Sequence, residues 1–241
     1  QRIIIANYLS AKYGSSLSAN DVYREDNSGR GDHDHEVAGI GRVNVSNTQT
    51  DSKGSGIVRI SGATDLGDNE FLMWGHDNGV LGAWGVGDVP AGMQGRLGRV
   101  WRVSERNSTG TSAVNVGAVD IEFDLSGLGP VTASHLRLVV DTDNDGVFSD
   151  ETGMGGAILA TGSSYRFTGV TALQDGRRFT LCTTDMGSTP LPVEIIAFNA
   201  TRELNGTVDI KWSTASEQDN DRFIVQRSMD TQQWADVALV D

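Results

Sequence analysis

The residues with the clearest chemical potential form an acidic, glycine-containing loop, Asp141-Thr142-Asp143-Asn144-Asp145-Gly146-Val147. Aspartates at loop positions 1, 3 and 5, with glycine at position 6, match the first part of the D-x-D-x-D-G calcium loop. In that loop alternate side chains point inward, and the glycine permits a sharp turn. Because closely spaced carboxylates repel one another without a cation, the pattern predicts a Ca²⁺ site with a structural role.

The loop departs from an EF-hand at its end and in the segment that precedes it. Position 12 is Thr152 instead of a bidentate glutamate, and a strand pattern precedes the loop. We therefore expect a calcium loop on a β-hairpin, with the metal ligands Asp141, Asp143, Asp145, Val147, Asp150 and Glu151. The alternative is an acidic, solvated turn, because Asn, Asp and Gly favour turns.

A second candidate site is the histidine-rich segment Asp32-His33-Asp34-His35-Glu36. In an extended chain, His33 and His35 share one face and could chelate a transition metal. A catalytic zinc site needs a third protein ligand, for which His76 or Asp77 is the candidate, and such a site would indicate a metal-dependent hydrolase. The simpler interpretation, which we favour, is a polar loop with pH-sensitive histidines.

Trp84 lies among glycines in Gly82-Ala83-Trp84-Gly85-Val86-Gly87, a pattern typical of a flexible, exposed loop. An exposed indole can stack on a sugar ring, so a carbohydrate-binding module is an alternative function. Trp74 and Trp101 fall within strand patterns and are expected in the core, where large aromatic side chains bury much area. Cys182 also lies in a strand pattern, which predicts a buried, inert thiol.

The charge and motif content exclude several classes of protein. The 241 residues include 32 acidic and 19 basic side chains, a formal net charge of −13. Nucleic-acid binding depends on basic side chains, so no nucleic-acid partner is expected. No apolar run approaches the ~18–20 residues of a membrane-spanning helix, so no membrane insertion is expected. The sequence also lacks a nucleophile elbow and an H-E-x-x-H motif, and we predict no enzymatic activity.

The elements that must position these residues are mainly strands. Residues 2–13 carry apolar side chains at the spacing of one helical face, formed by Ile5, Tyr8, Leu9 and Tyr13, and Gly14 is suited to end that helix. Short β-branched and aromatic runs then predict an all-β fold, an antiparallel β-sandwich. The predicted strands are Ile57–Ile60, Phe71–Gly75, Arg99–Val103, Ala113–Leu125, Leu136–Asp141, Ala157–Ala160, Tyr165–Thr168 and Arg178–Thr183.

A domain boundary is predicted at Gly187-Ser188-Thr189-Pro190-Leu191-Pro192, whose two prolines indicate an extended linker. Strand patterns recur beyond it, but residues 193–241 are about half of an immunoglobulin- or fibronectin-like sandwich. We therefore expect a longer natural chain or another chain to complete this second sandwich. The predicted organisation is a helix at 1–14, a polar linker loop at 15–36, a β-sandwich at 37–186, a linker at 187–192 and a partial sandwich at 193–241.

The C-terminal part combines an L-P-V-E opening, a W-x-T-A-S-E block and an F-x-V-x-R-S strand, within residues 191–198, 210–217 and 223–228. As a set, these segments resemble the opening half of the fibronectin type III-like segment of large Bacteroidota secreted and surface proteins. Such segments often precede a sorting domain for the type IX secretion system. The resemblance therefore implies export with that secretion machinery as a partner.

Segments of the first 185 residues resemble modules of the same proteins. Ile4–Gly14 is similar to the helix that ends a lectin-like domain of the concanavalin or laminin-G kind. Residues 37–42, 71–77 and 99–103 are similar to the β-rich domain that follows it. The resemblance implies an extracellular or cell-surface structural or adhesive protein, with neighbouring modules of the same polypeptide, or surface polysaccharide, as partners. Our leading hypothesis is a non-catalytic module of this kind, stabilised by calcium.

Overall fold

The computed structural model describes residues 1–82, 84–126, 131–187, 194–203, 206–216, 222–230 and 232–240. Helix α1 spans Arg2–Tyr13, and two 3₁₀ helices span Ser28–Arg30 and Ala133–His135. The strands are β1 His35–Asn44, β2 Asn47–Gln49, β3 Asp51–Ser52, β4 Val58–Ser61, β5 Glu70–His76, β6 Trp84–Gly85, β7 Gly95–Leu97, β8 Trp101–Asn107, β9 Val119–Asp124, β10 Leu136–Val140, β11 Ile158–Thr161, β12 Ser164–Val170, β13 Arg178–Thr183, β14 Glu194–Arg202, β15 Val208–Ser216, β16 Phe223–Ser228 and β17 Trp234–Val240. Within these residues, no helix is long and apolar enough to cross a membrane.

The first 13 strands form two antiparallel sheets. The large sheet has the order β2-β1-β5-β8-β13-β7-β6, and β10 also pairs with β13. The small sheet has the order β11-β12-β9-β4-β3. Both sheets contribute side chains to one core, so the predicted all-β antiparallel sandwich with one N-terminal helix is confirmed.

Aromatic side chains join the two sheets at the centre of the core. The ring of Trp101, on β8, stacks on that of Phe179, on β13, with a centroid distance of 5.7 Å. The same indole meets the ring of Phe123, on the opposite sheet, edge-on at 5.7 Å. Stacked and edge-on pairs are the favoured aromatic geometries. Trp74 is also buried, so both tryptophans predicted to lie in the core are confirmed.

Helix α1 packs on the outer face of the large sheet. Ile4 and Ala11 join a cluster that contains Phe71 and Met73 of β5. The buried face therefore differs from the predicted one, and the exposed apolar side chains of the helix are Ile5, Leu9 and Tyr13. The reason is polar: the Asn7 side chain points inward and accepts the backbone N–H groups of residues 22 and 23, both at 2.9 Å. The helix ends as predicted at residue 14, which adopts a φ of 60°.

Residues 20–34, which we call the strap, cross the outer face of the large sheet between α1 and β1. The predicted polar loop is irregular apart from one 3₁₀ turn, but it is closely packed. Val22, Tyr23, Glu25 and His33 of the strap are buried. The strap therefore ties the helix to the sheet.

Gly75, on β5, allows the strap to lie directly against the sheet. A Cβ atom at this position would overlap the backbone oxygen of His33 and the hydroxyl of Tyr23. We expect Gly75→Ala to lower the free energy of unfolding by about 1–3 kcal/mol, the usual cost of overpacking. Gly85→Ala is the matched control, because the nearest atom to its Cβ would be the Arg96 oxygen at 3.7 Å. Equal stability of the two variants in urea denaturation would contradict this account.

The C-terminal strands form two separate antiparallel pairs, β14 with β15 and β16 with β17. The rings of Trp212 and Phe223 connect the pairs with an edge-on contact at 5.4 Å. Large apolar side chains remain exposed in this part, among them Phe198, Val208, Ile224, Trp234, Val237 and Leu239. Completion of the second sandwich by further chain stays a prediction. Residues 188–193, which include most of the predicted linker, lie outside the described residues.

Candidate metal site

The acidic loop, residues 141–151, follows β10 of the large sheet and leads towards β11 of the small sheet. The predicted β-hairpin is reduced to one isolated bridge between Leu138 and Met154, because β10 makes its regular pairing with β13. The loop is anchored at both ends. The Asp141 N–H donates to the Arg178 oxygen at 2.9 Å, and the Phe148 side chain is buried on the outer face of the large sheet.

Three of the predicted ligands converge in this loop. Asp141, Asp143 and Asp145 each offer a carboxylate oxygen, and these oxygens lie within 4.8 Å of one another. In the described part of the chain, no other group of three or more His, Cys, Asp or Glu side chains has this geometry. Asn144 and Gly146 adopt φ values of 65° and 92°, which produces the sharp reversal predicted from the glycine.

Asp141 is the buried member of this group, and its side chain has no exposed surface. Its Oδ2 atom accepts hydrogen bonds from the Gly146 N–H and from the Arg178 guanidinium, each at 2.9 Å. Its Oδ1 atom is buried and has no hydrogen-bond partner among the described residues. Burying a polar atom without a partner costs free energy, and a cation held by the aspartates would supply that partner.

Asp143 shows how closely the negative charges are spaced. The N–H of Asp145 lowers the pKa of the Asp143 carboxyl, but slight desolvation and the charges of Asp145, Asp150 and Asp141 raise it, and the net shift is upward. Like charges disfavour the ionised form of a carboxyl group. A divalent cation would relieve this repulsion.

The other three predicted ligands lie around the converging group. The Glu151 carboxylate accepts a hydrogen bond from Thr142 Oγ1 at 2.9 Å, which ties the end of the loop to its start. Asp150 is close enough to affect the pKa of Asp143. The Val147 N–H donates to the Asp145 carboxylate at 2.7 Å. The carboxylates of Asp150 and Glu151 therefore lie in the same loop but outside the converging group of three aspartates.

Sequence reasoning missed the side chains that hold the loop from outside. Arg178 contacts Asp141, as above, and also donates to Asn144 Oδ1 at 3.1 Å. Asp88 Oδ1 accepts the N–H groups of Phe148 and Ser149 at 2.8 and 3.0 Å. Both side chains are distant in sequence, so no local pattern could have identified them. The positive charge of Arg178 also offsets one carboxylate, which favours weak rather than tight cation binding.

The alternative interpretation, a zinc site formed by His33, His35 and His76 or Asp77, has no such group of ligands among the described residues. His76 Nδ1 accepts the N–H of Asn78 at 2.9 Å, and His76 Nε2 lies 2.9 Å from Glu36 Oε2. Both ring nitrogens of His76 are therefore already engaged. His35 stacks on the same ring with a centroid distance of 5.7 Å, and its Nδ1 atom lies 2.7 Å from an Asp34 oxygen.

His33 is buried in the strap and belongs to no group of three or more metal-ligating side chains among the described residues. Desolvation lowers the pKa of His33 to about 4, so the side chain is neutral at physiological pH. Its Nδ1 atom has no hydrogen-bond partner among the described residues. The histidines of this segment thus belong to the packing of the strap and of β1 and β5.

The prediction that Trp84 is exposed is wrong. Its side chain is 5% exposed and belongs to the main core. Trp84 and Gly85 form the short strand β6, in which Trp84 pairs with Leu97 of β7. A buried indole offers no surface to a sugar. Cys182 is buried as predicted, and desolvation raises the pKa of its thiol to about 12.

Comparison with known proteins gives one result. The family described as "Domain of unknown function (DUF8202)" matches residues 1–177. No curated protein and no solved structure matches the chain. The matched range includes helix α1, the strap and the whole acidic loop, and it ends directly before Arg178.

Proposed function

We propose that this chain, which belongs to the family of the DUF8202 domain of unknown function, is a non-catalytic structural module stabilised by Ca²⁺. One observation carries the proposal. Asp141 is fully buried, its Oδ1 atom has no partner in the part of the chain that the structure describes, and its carboxylate converges with those of Asp143 and Asp145. Such an atom indicates a ligand that completes the loop.

The donor set favours Ca²⁺ over other cations. The converging atoms are all carboxylate oxygens, the ligands of hard cations, whereas Zn²⁺ sites usually include Cys or His. Mg²⁺ requires near-ideal octahedral geometry, while Ca²⁺ accepts six to eight oxygens in flexible arrangements. The backbone carbonyl of Val147, the carboxylate of Asp150 or Glu151, and water would complete the coordination shell. The cation would supply charge neutralisation and a fixed loop shape.

The position of the loop explains why its order matters for the sandwich. Phe148 packs with Val139, Val100 and Cys182 in a cluster on the outer face of the large sheet. Asp88 holds the same end of the loop from a separate segment. A bound cation would therefore stabilise the packing of this loop against the outer face of β10 and β13.

We further propose an extracellular or cell-surface setting, with a structural or adhesive role in a longer polypeptide. Its support is the resemblance of the sequence segments described above, together with a site chemistry suited to weak binding. Extracellular calcium modules bind with Kd values of roughly 10⁻⁴–10⁻³ M, and the nearby Arg178 favours that range. The alternative of a carbohydrate site at Trp84 loses its support, because the indole is buried.

Calcium titration of the full chain tests the proposal. After removal of metals with EGTA, we expect calorimetry to show one Ca²⁺ bound. Ca²⁺ at ten times its Kd should add about 1.4 kcal/mol of stability, which raises Tm by about 3–6 °C for a chain of this size. Asp143→Asn should abolish this increase, because it removes one of the converging carboxylates.

The matched control is Asp65→Asn, which removes an exposed carboxylate between β4 and β5 and should leave the calcium response unchanged. The same titration with MgCl₂ should give a smaller increase in Tm. An identical Tm in Ca²⁺ and in EGTA would overturn the proposal, as would a full calcium response in Asp143→Asn.

A further inference from the structure

Arg102 lies between the acidic loop and the strap, and its side chain contacts both. Its Nη2 atom donates to Asn144 Oδ1 in the loop at 3.4 Å. Its Nε atom lies 3.0 Å from Glu25 Oε2 in the strap, and its Nη1 atom donates to the backbone oxygen of Arg30. A planar guanidinium with donors in fixed directions couples the positions of the groups it binds.

Asn144 is the loop residue that Arg102 contacts. In the chain it lies between Asp143 and Asp145, two of the converging aspartates, and it adopts the left-handed conformation. Its Oδ1 atom is shared by Arg102 and Arg178, at 3.4 and 3.1 Å. A cation that fixes the two aspartates would also fix this acceptor for both guanidinium groups.

The strap contains buried polar groups, which cost free energy wherever they lack partners. Glu25 is fully buried and forms an ion pair with Arg102. Its Oε1 atom also accepts hydrogen bonds from Arg30 Nη1 at 3.1 Å and from Ser104 Oγ at 3.4 Å. His33 Nδ1 is buried without a partner among the described residues. Irregular segments outside the sheets can open locally at lower free energy than the core strands. The strap in turn carries the hydrogen bonds to Asn7 of helix α1.

We infer that Ca²⁺ binding at the acidic loop locks the strap onto the sheet through Asn144 and Arg102. This inference rests on the proposed calcium site and adds a regulated segment to it. With Ca²⁺ bound, the strap and helix α1 stay packed on the sheet. Without Ca²⁺, the strap unfolds locally more often. The calcium concentration would then control the exposure of one face of the module.

Hydrogen exchange measured by mass spectrometry on the full chain tests this coupling. We expect Ca²⁺, compared with EGTA, to slow exchange at the amides of Val22 and Tyr23 at least about fivefold, within the usual range of coupling between sites. Peptides from β16 and β17 serve as internal controls and should not respond. Calorimetry on the same samples reports whether Ca²⁺ binds.

Two variants separate the coupling from the binding. Asn144→Gly keeps the left-handed backbone and the three aspartates but removes the shared Oδ1 atom. Arg102→Lys keeps a positive charge beside Glu25 but loses the planar set of donors that spans the loop and the strap. We expect both variants to bind Ca²⁺ without slowing exchange in the strap.

The outcomes distinguish this inference from the proposed function. If wild-type protein binds Ca²⁺ and exchange in the strap is unchanged, the coupling is wrong while the calcium site stands. If Ca²⁺ still slows hydrogen exchange in the strap of both variants, the coupling does not pass through Asn144 and Arg102. If no Ca²⁺ binds to wild-type protein, the proposed site and the coupling both fail.

Discussion

Arg102→Met should lower the free energy of unfolding by about 3–5 kcal/mol, because it removes the more deeply buried of the two guanidinium groups that pair with the buried carboxylate of Glu25. Glu25 has no exposed surface, and the Arg102 side chain is 8% exposed. The remaining cation near Glu25 is Arg30, whose side chain is 34% exposed and therefore partly screened by water. Removing one member of a buried ion pair costs more than the pair contributes, since the other charge stays in the interior.

A double-mutant cycle checks the cause of this loss. Glu25→Gln removes the stranded charge, so the double variant should be less destabilised than the sum of the single variants, by about 1–3 kcal/mol. Arg42→Met is the matched control, because the ion pair of Arg42 with Asp68 is exposed and should contribute less than about 1 kcal/mol. Urea denaturation gives all four values. A loss in Arg102→Met no greater than in Arg42→Met would contradict the assignment.

The sequence predicts the strands best where the pattern is local. Strand β13 has the predicted bounds, because its aromatic and β-branched residues fall within one short run of sequence. Strand β1, the longest in the sandwich, was not among the predicted strands because Gly39 and Gly41 interrupt its apolar pattern. In the structure these glycines pair with Met73 and Phe71 of β5, whose side chains lie where a Cβ would be. Only the neighbouring strand explains them.

The same distinction applies to the candidate site. The spacing of Asp141, Asp143 and Asp145 predicts their convergence, because alternate residues of a tight loop point to one side. The guanidinium groups that hold the loop come from β8 and β13, and no feature of the loop sequence identifies them. Trp84 shows the reverse error. Its glycine-rich surroundings indicate exposure, but pairing with β7 places the indole in the core.

A second large effect is expected from Glu105, a β8 residue that is 1% exposed. Burial raises the pKa of its carboxyl from 4.5 to about 7, while the Val116 N–H, which donates to Oε1 at 2.6 Å, lowers it and Asp175 raises it further. Between pH 4.5 and 7 the unfolded chain loses this proton and the folded chain keeps it. The Glu105 contribution therefore destabilises the fold as the pH rises, by on the order of 3 kcal/mol at pH 7 and above.

His33 changes stability with pH in the opposite direction. Its pKa is about 4 in the fold, against 6.5 in the unfolded chain, so protonation of the unfolded state lowers stability as the pH falls from 6.5 to 4. The two contributions oppose each other between pH 4.5 and 6.5. Burial also raises the pKa of Asp26 to about 6, which adds to the Glu105 contribution. From pH 4.5 to 6 the wild-type protein should therefore lose stability as the pH rises, with about the slope of one raised carboxyl group, and from pH 6 to 6.5 its profile should be nearly level, because only Glu105 and His33 oppose each other there.

Glu105→Gln separates these contributions, because the amide keeps an oxygen for the Val116 N–H but cannot ionise. We expect the variant to be more stable than wild-type protein at pH 8, by up to about 3 kcal/mol, and nearly equal to it at pH 4. Its own profile should be nearly level from pH 4 to 6, where the Asp26 and His33 contributions oppose each other, and should fall on acidification only from pH 6.5 to 6. Glu203→Gln, at an exposed position, should follow the wild-type profile. A difference between Glu105→Gln and wild-type protein that stays constant from pH 4 to 8 would show that Glu105 ionises normally in the fold, since only a shifted pKa makes the difference depend on pH.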